Sequence, residues 1–154
     1  PLPDSNVIAK VVSECEKIEQ QFETTRMSID SFKKEISEIF AKLNVASIGG
    51  GIRLADLAKY ILAGGDAPLN NFSKVQTGDF NVPIYSNGIG EKALYGFTDI
   101  KKINDTCITV SARGTIGYTE IREAPFFPIV RLIVICPDEA KVDIHFLKYY
   151  LNYN

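Results

Sequence analysis

The residues best equipped for chemistry lie in polar stretches between positions 70 and 122. There the cations Lys74, Lys92, Lys101, Lys102, Arg113 and Arg122 interleave with Asn70, Asn71, Ser73, Gln76, Tyr85, Ser86, Asn87, Tyr95 and Tyr118. Arginine and lysine donate to guanine edges, asparagine and glutamine pair with adenine, and hydroxyls and remaining cations hold phosphates. Such a set suits a nucleic-acid surface. Polar loops that are merely solvated have the same composition, so a protein-interaction module stays open on these grounds alone.

The most pointed stretch is SARGTIGYTE (111–120), which follows the β-rich run CITV. A phosphate-cradling loop needs G-x-x-x-x-G-K-[ST] or G-x-G-x-x-G opening a helix. Neither pattern is complete here, and YTEIRE reads as a strand. The glycines therefore read as conformational devices, with Gly114 turning the chain between two strands and Gly117 permitting close backbone approach. Arg113 either faces a ligand or braces the turn through a nearby carboxylate.

Catalysis has little to stand on. The sole histidine, His145, sits on an amphipathic helical stretch beside Phe146 and Leu147, without a nucleophile motif. No carboxylate pair falls in a recognisable motif, and no methyltransferase or nuclease signature is present. The three cysteines, Cys15, Cys107 and Cys136, lack any CxxC spacing. Neither a disulfide framework nor a metal site is expected, and reduced thiols suit a cytoplasmic protein. A small hydrolase remains the weakest of three readings.

These residues need elements to hold them. From Val7 to Leu43 there is no glycine or proline. Apolar residues recur in a heptad register, with Ile8, Cys15, Phe22, Ile29, Ile36 and Leu43 at a, and Val11, Ile18, Thr25, Phe32 and Ile39 at d. Thr25 alone breaks the stripe. The pattern predicts a coiled-coil helix of roughly 55–60 Å, capped by Asp4 and Ser5 and ended by Gly49-Gly50-Gly51. Its seam is longer than a domain of about 100 residues could cover, since such a domain has a radius of gyration near 13 Å. A second helix, from another chain or from a missing part of this one, is expected to meet it. The alternative is a helix folded back on its own domain.

After the glycines the texture changes. IRLADLAKYI (52–61) reads as a helical turn or short strand leading into a strand, and Gly64-Gly65, Gly78-Asp79 and Asn87-Gly88 are turn signals. Strands are expected at 105–111, 115–123 and 130–137, then a terminal helix. The fold class is α+β: a long helix over 4–45, then a mainly β domain over 46–154 with long loops and a helical end.

Composition agrees with a folded soluble chain: 154 residues, 45% hydrophobic, 23% charged, net charge −2. That balance excludes a polybasic binder but not a reader with few, locally placed cations. The greasiest segment, FFPIVRLIVIC (126–136), is too short to span a bilayer and reads as a core strand. The chain starts without methionine and stops inside a helix, so a fragment of a longer polypeptide is expected.

The order of the heptad helix, GGIRLADLAKYILAGGDAP (50–68), VPIYSNG (82–88), ITVSARGTIGYTEIREAPFFPIVRLIVICP (108–137) and FLKYYLN (146–152) resembles the specificity subunits of type I restriction–modification enzymes. It is also similar to the recognition module of single-chain restriction-methylases. SARGTIG, PIYSNG and PFFPIVRLIV carry the likeness most sharply. The resemblance implies a non-catalytic DNA target recognition domain on a spacer helix, reading one half of a bipartite site. Of the polar loop residues, those expected to face DNA are Lys74, Tyr85, Ser86, Asn87, Lys92, Tyr95, Ser111, Arg113, Thr115 and Tyr118. The helix interface expected from the heptad register is Ile8, Val11, Cys15, Ile18, Phe22, Ile29, Phe32, Ile36 and Ile39. Implied partners are double-stranded DNA, methyltransferase subunits, a motor-nuclease subunit, and a second recognition domain or an antiparallel homodimer. S-adenosylmethionine, ATP and Mg belong to those partners, with no cofactor in this chain. A full subunit has two recognition domains and two helices, whereas one of each is present here. A coiled-coil adaptor without DNA binding is the competing reading.

Overall fold

The absence of helix breakers over residues 7–43 is realised as one continuous helix. The structure, a computed structural model, describes residues 4–46 and 51–153. Helix α1 runs Ser5–Ala46, about 60 Å at 1.5 Å per residue. Asp4 caps it: its Oδ1 accepts from the Asn6 amide at 2.7 Å, and its carbonyl accepts from Ile8 at 3.0 Å. Gly49 and Gly50, the expected stop, lie outside the described residues, as does the side chain of Leu43.

The heptad stripe is open to solvent along most of α1. Phe22 is 64% exposed and Phe32 62%, with Ile8, Val11, Ile18, Ile29 and Ile39 also exposed and Ile36 half-buried. Thr25, the polar break in the stripe, donates its hydroxyl to the Gln21 carbonyl at 2.8 Å. Thr24, Ser28 and Ser37 bond the preceding turn in the same way.

The chain divides into two compact units between residues 48 and 49. In the second, a 3₁₀ turn (Leu54–Asp56) leads into β1 (Ala58–Ala63), followed by β2 (Val82–Tyr85) and a second 3₁₀ turn (Gly90–Ala93). Then come β3 (Leu94–Thr98), β4 (Cys107–Val110), β5 (Thr119–Arg122), β6 (Phe127–Pro128), β7 (Ile133–Pro137) and α2 (Ile144–Tyr153). One sheet is antiparallel in the order β1-β7-β4-β5; the other runs β3-β2-β6, with β2 and β6 parallel.

Period-two alternation sorts the larger sheet into two buried faces. Cys107, Val134 and Cys136 pack with Ile103 and Phe126, joined by Tyr60, Leu62 and Tyr85. Ile108 and Ile135 pack on the opposite face against Leu147 of α2. Ala58 and Tyr60, two residues apart, serve opposite faces because the β1–β7 register slips between them. α2 is capped by Asp143, which accepts from the Phe146 amide at 2.8 Å, and is tied to β5 through Asn152 and Thr119.

Two strand expectations need correction. FFPIVRLIVIC is two elements: β6 and β7 are separated by a sharp turn in which Val130 (φ 53°) and Arg131 (φ 58°) are left-handed. The expected strand at 115–123 begins only at Thr119, because 112–118 form a loop.

Candidate nucleic-acid interface

Strand direction decides where the loops gather. In the antiparallel sheet the end of β1, the start of β7, the end of β4 and the start of β5 share one edge. The segments at 64–67, 129–132 and 111–118 must therefore emerge together. β2 ends at the same place, since the Tyr85 carbonyl accepts from Ile129 at 2.9 Å.

Asn87 knits these segments. Its Nδ2 donates to the Val130 carbonyl at 2.8 Å, and its Oδ1 accepts from the Ala112 amide at 2.7 Å. A carbonyl can only accept and an N–H can only donate, so both amide ends have a fixed role. Ser111, buried in the sheet edge, accepts at Oγ from the Gly88 amide at 3.4 Å. The three most distinctive sequence segments, SNG, SARGTIG and PIVR, are thus one hydrogen-bonded construction.

The SARGTIG loop closes on itself. Ser111 donates to the Tyr118 carbonyl, Gly117 to Ser111, and Tyr118 to Thr115, at 2.9, 2.9 and 3.1 Å. Gly114 (φ 70°) and Gly117 (φ 86°) supply its left-handed corners. No atom lies within 4 Å of a Cβ built on Gly117, so its backbone angle is what glycine provides there. Close approach, expected at Gly117, occurs instead at Gly64, where a Cβ would stand 2.8 Å from the Ile129 nitrogen.

Beside this hub is a cleft of about 470 Å³, lined by Gly64, Gly65, Asp66, Arg113, Val130 and Arg131. Neither guanidinium has an ion pair or hydrogen bond among the described residues. The brace reading of Arg113 thus finds no carboxylate partner. Residues 51–154 carry eleven basic and eleven acidic side chains, so this local excess does not follow from overall charge.

Arg122, Lys74 and Lys102, by contrast, have partners within the fold. Arg122 is only 10% exposed, lies 2.7 Å from Glu120 Oε2, and stacks 4.1 Å from the Tyr85 ring centroid. Its Nε has no hydrogen-bond partner among the described residues. Lys74 donates to the Tyr95 carbonyl at 3.0 Å and sits over the Tyr95 and Phe72 rings, at 4.0 and 5.1 Å. Lys102 lies 5.1 Å from the Phe127 ring centroid.

Of the ten residues expected to face DNA, the structure brings Ser86, Asn87, Ser111, Arg113 and Thr115 to the loop end. Lys74, Lys92, Tyr95, Arg113 and Thr115 are exposed. Tyr85 packs edge-on against Phe126, and Tyr118 is half-buried, its hydroxyl pKa raised by burial and by Glu120. Arg131 and Asp66 were not among the ten. Arg131 was hidden in an apolar run that reads as strand, and the signal that could have exposed it is a charge inside VRLIV next to Pro128. Elsewhere, Tyr60 donates to Asp105 at 2.9 Å and lies 3.6 Å from Cys107 Sγ. No group of three metal-ligating side chains occurs among the described residues. No helix among them is long and apolar enough to cross a membrane.

Residues 51–154 match the family described as "Type I restriction modification DNA specificity domain". Two Mycoplasma pneumoniae proteins carrying the name of type I specificity subunits align over 95 residues each. One is 38% identical, covering 62% of this chain and 26% of the relative; the other is 36% identical, covering 62% and 28%. The chain therefore spans about a quarter of the length of these curated relatives. The fold is shared with the HsdS subunit of Thermoanaerobacter tengcongensis (TM-score 0.56, 17% identity, 99% of this chain and 42% of that one). It is also shared with the type I system S subunit of M. genitalium (TM-score 0.60, 17% identity, 96% and 40%).

Proposed function

The chain belongs to the type I restriction modification DNA specificity domain family, and we propose that it reads one half of a bipartite DNA sequence. The observation that carries this reading is the loop hub around Asn87, which brings Arg113 into the lining of a cleft without an ion pair among the described residues. The relatives are specificity subunits by name, in keeping with a non-catalytic specificity domain. Modification by methyltransferase subunits using S-adenosylmethionine, and cleavage by a motor-nuclease subunit using ATP and Mg, belong to partners. Helix α1 would set the distance to a second recognition domain and dock those partners, through an antiparallel pairing of its exposed seam. Such an assembly works on DNA in the cytoplasm.

A salt titration with duplex DNA carrying the target tests the reading. Affinity is expected to fall linearly in log–log form with added salt, as phosphate-bound counterions are released. Arg113→Ala and Lys92→Ala should each weaken specific binding by about 1–3 kcal/mol with the fold intact. An adaptor whose function is the coiled coil predicts no salt-dependent DNA binding, and unchanged affinity in both variants would refute the site.

A further inference from the structure

We propose that Arg131, with Arg113 and Asp66, forms a base-reading cleft whose donors and acceptor select a G·C pair; this rests on the DNA-reading function above. Arg131 stands on a backbone conformation that proteins rarely adopt. Val130 and Arg131 have φ of 53° and 58°, and a left-handed β-branched valine is an outlier. Such conformations persist only where neighbours over-determine them, and they concentrate at functional sites. Here the neighbours are visible. Val130 N donates to Gly65 O at 2.8 Å, Arg131 N to Gly64 O at 3.0 Å, and Leu132 N to Ile129 O at 3.0 Å. Asn87 Nδ2 holds the Val130 carbonyl at 2.8 Å. The absence of a side chain on Gly64 lets the two backbones meet.

The construction places a second arginine in the lining of the same cleft as Arg113, from a loop remote in sequence. Both are exposed and unpartnered among the described residues, whereas Arg122 and Lys74 are occupied within the fold. Asp66, also exposed, lines the same space. A cleft for phosphate alone gains nothing from a carboxylate, which repels it. A G·C pair presents O6 and N7 acceptors on guanine and an amino donor on cytosine in the major groove, and arginine and aspartate answer these respectively. The mixed lining therefore favours a base-pair edge over the backbone.

The test is selection from a randomised duplex library by the assembled enzyme carrying wild-type, Arg131→Asn, Arg131→Lys or Asp66→Asn chains. Asparagine tolerates the left-handed backbone, and folding of each variant is checked by circular dichroism and thermal melting. The wild type is expected to enrich a motif with a fixed G·C pair. Arg131→Asn should lower preference at that pair by about tenfold, with the other positions retained. Arg131→Lys, keeping the charge without the fork, should lose the preference but keep affinity for random DNA. Asp66→Asn, at an exposed position that leaves Arg131 untouched, should relax the same pair. Equal weakening on all sequences in the arginine variants would make Arg131 a phosphate anchor and overturn the inference, as would an unchanged motif in all variants. In both cases the DNA-reading function would stand. A wild-type enzyme that enriches no motif overturns that function and the inference together.

Discussion

The side-chain amide of Asn87 bridges segments 25 and 43 residues away in sequence. Asn87→Ala would leave the Ala112 amide and the Val130 carbonyl without their partner. Each unsatisfied group costs about 1–3 kcal/mol when buried, and partial exposure here places the total near 2 kcal/mol. Thermal melting should report that loss, with faster hydrogen exchange at Ala112; an unchanged melting temperature and exchange rate would show that the bridge does not hold the loops. Asn87 was legible in the sequence as a polar residue at a turn, but not as a clamp, because its partners are set by the fold. Lys74 is similar, since nothing local predicts that the Tyr95 carbonyl and ring will occupy it. The exposure of Arg113 was legible, because it stands in a turn before Gly114.

The long helix was the easiest element to read, since a stripe sustained over about five heptads depends on no distant contact. Strand cores were also readable: CITV is β4 to the residue. Strand ends were not, because the left-handed turn at 130–131 is held by hydrogen bonds its amides donate to the Gly64 and Gly65 carbonyls and one its Val130 carbonyl accepts from Asn87. The two-residue β6 is too short to leave a periodic signal. For α1, the solvent-facing seam makes association the testable property. Phe22→Ala and Phe32→Ala should each weaken self-association by about 1–2 kcal/mol, by the apolar surface they remove. Thr25→Leu should strengthen it, since it replaces the polar break in the seam. Sedimentation equilibrium measures both effects; a wild-type chain that stays monomeric at high concentration with α1 still helical would contradict the paired-seam reading.

Across the whole molecule, a half-buried Tyr60–Cys107–Asp105 group, in which the cysteine is fully buried, links β1 to β4 and to the loop before it. Burial pushes the Cys107 thiol up to about 12, and pushes the Tyr60 hydroxyl up as well, reinforced by hydrogen bonds to Cys107 and Asp105. The folded chain holds these protons where the unfolded chain releases them, the thiol near 9.0 and the phenol near 10.0. Stability from this source is therefore complete below pH 9 and is lost as pH rises toward 12, at no more than about 1.4 kcal/mol per pH unit for each group. Melting temperature should hold level to about pH 9 and then fall, with a shallower fall in Cys107→Ala between pH 9 and 10. A wild-type melt that stays flat to pH 11 would contradict it. The Asn87 bridge has a consequence for redesign. It makes the loop end a chassis, with Gly64, Asn87 and Ser111 as its joints, on which Asp66, Arg113 and Thr115 are replaceable fittings and Arg131 is one limited to residues that tolerate its left-handed backbone. On the DNA-reading function proposed above, a library confined to those four positions is expected to explore new DNA targets on the same frame, whereas one that also varies the joints would mix altered recognition with collapsed loops.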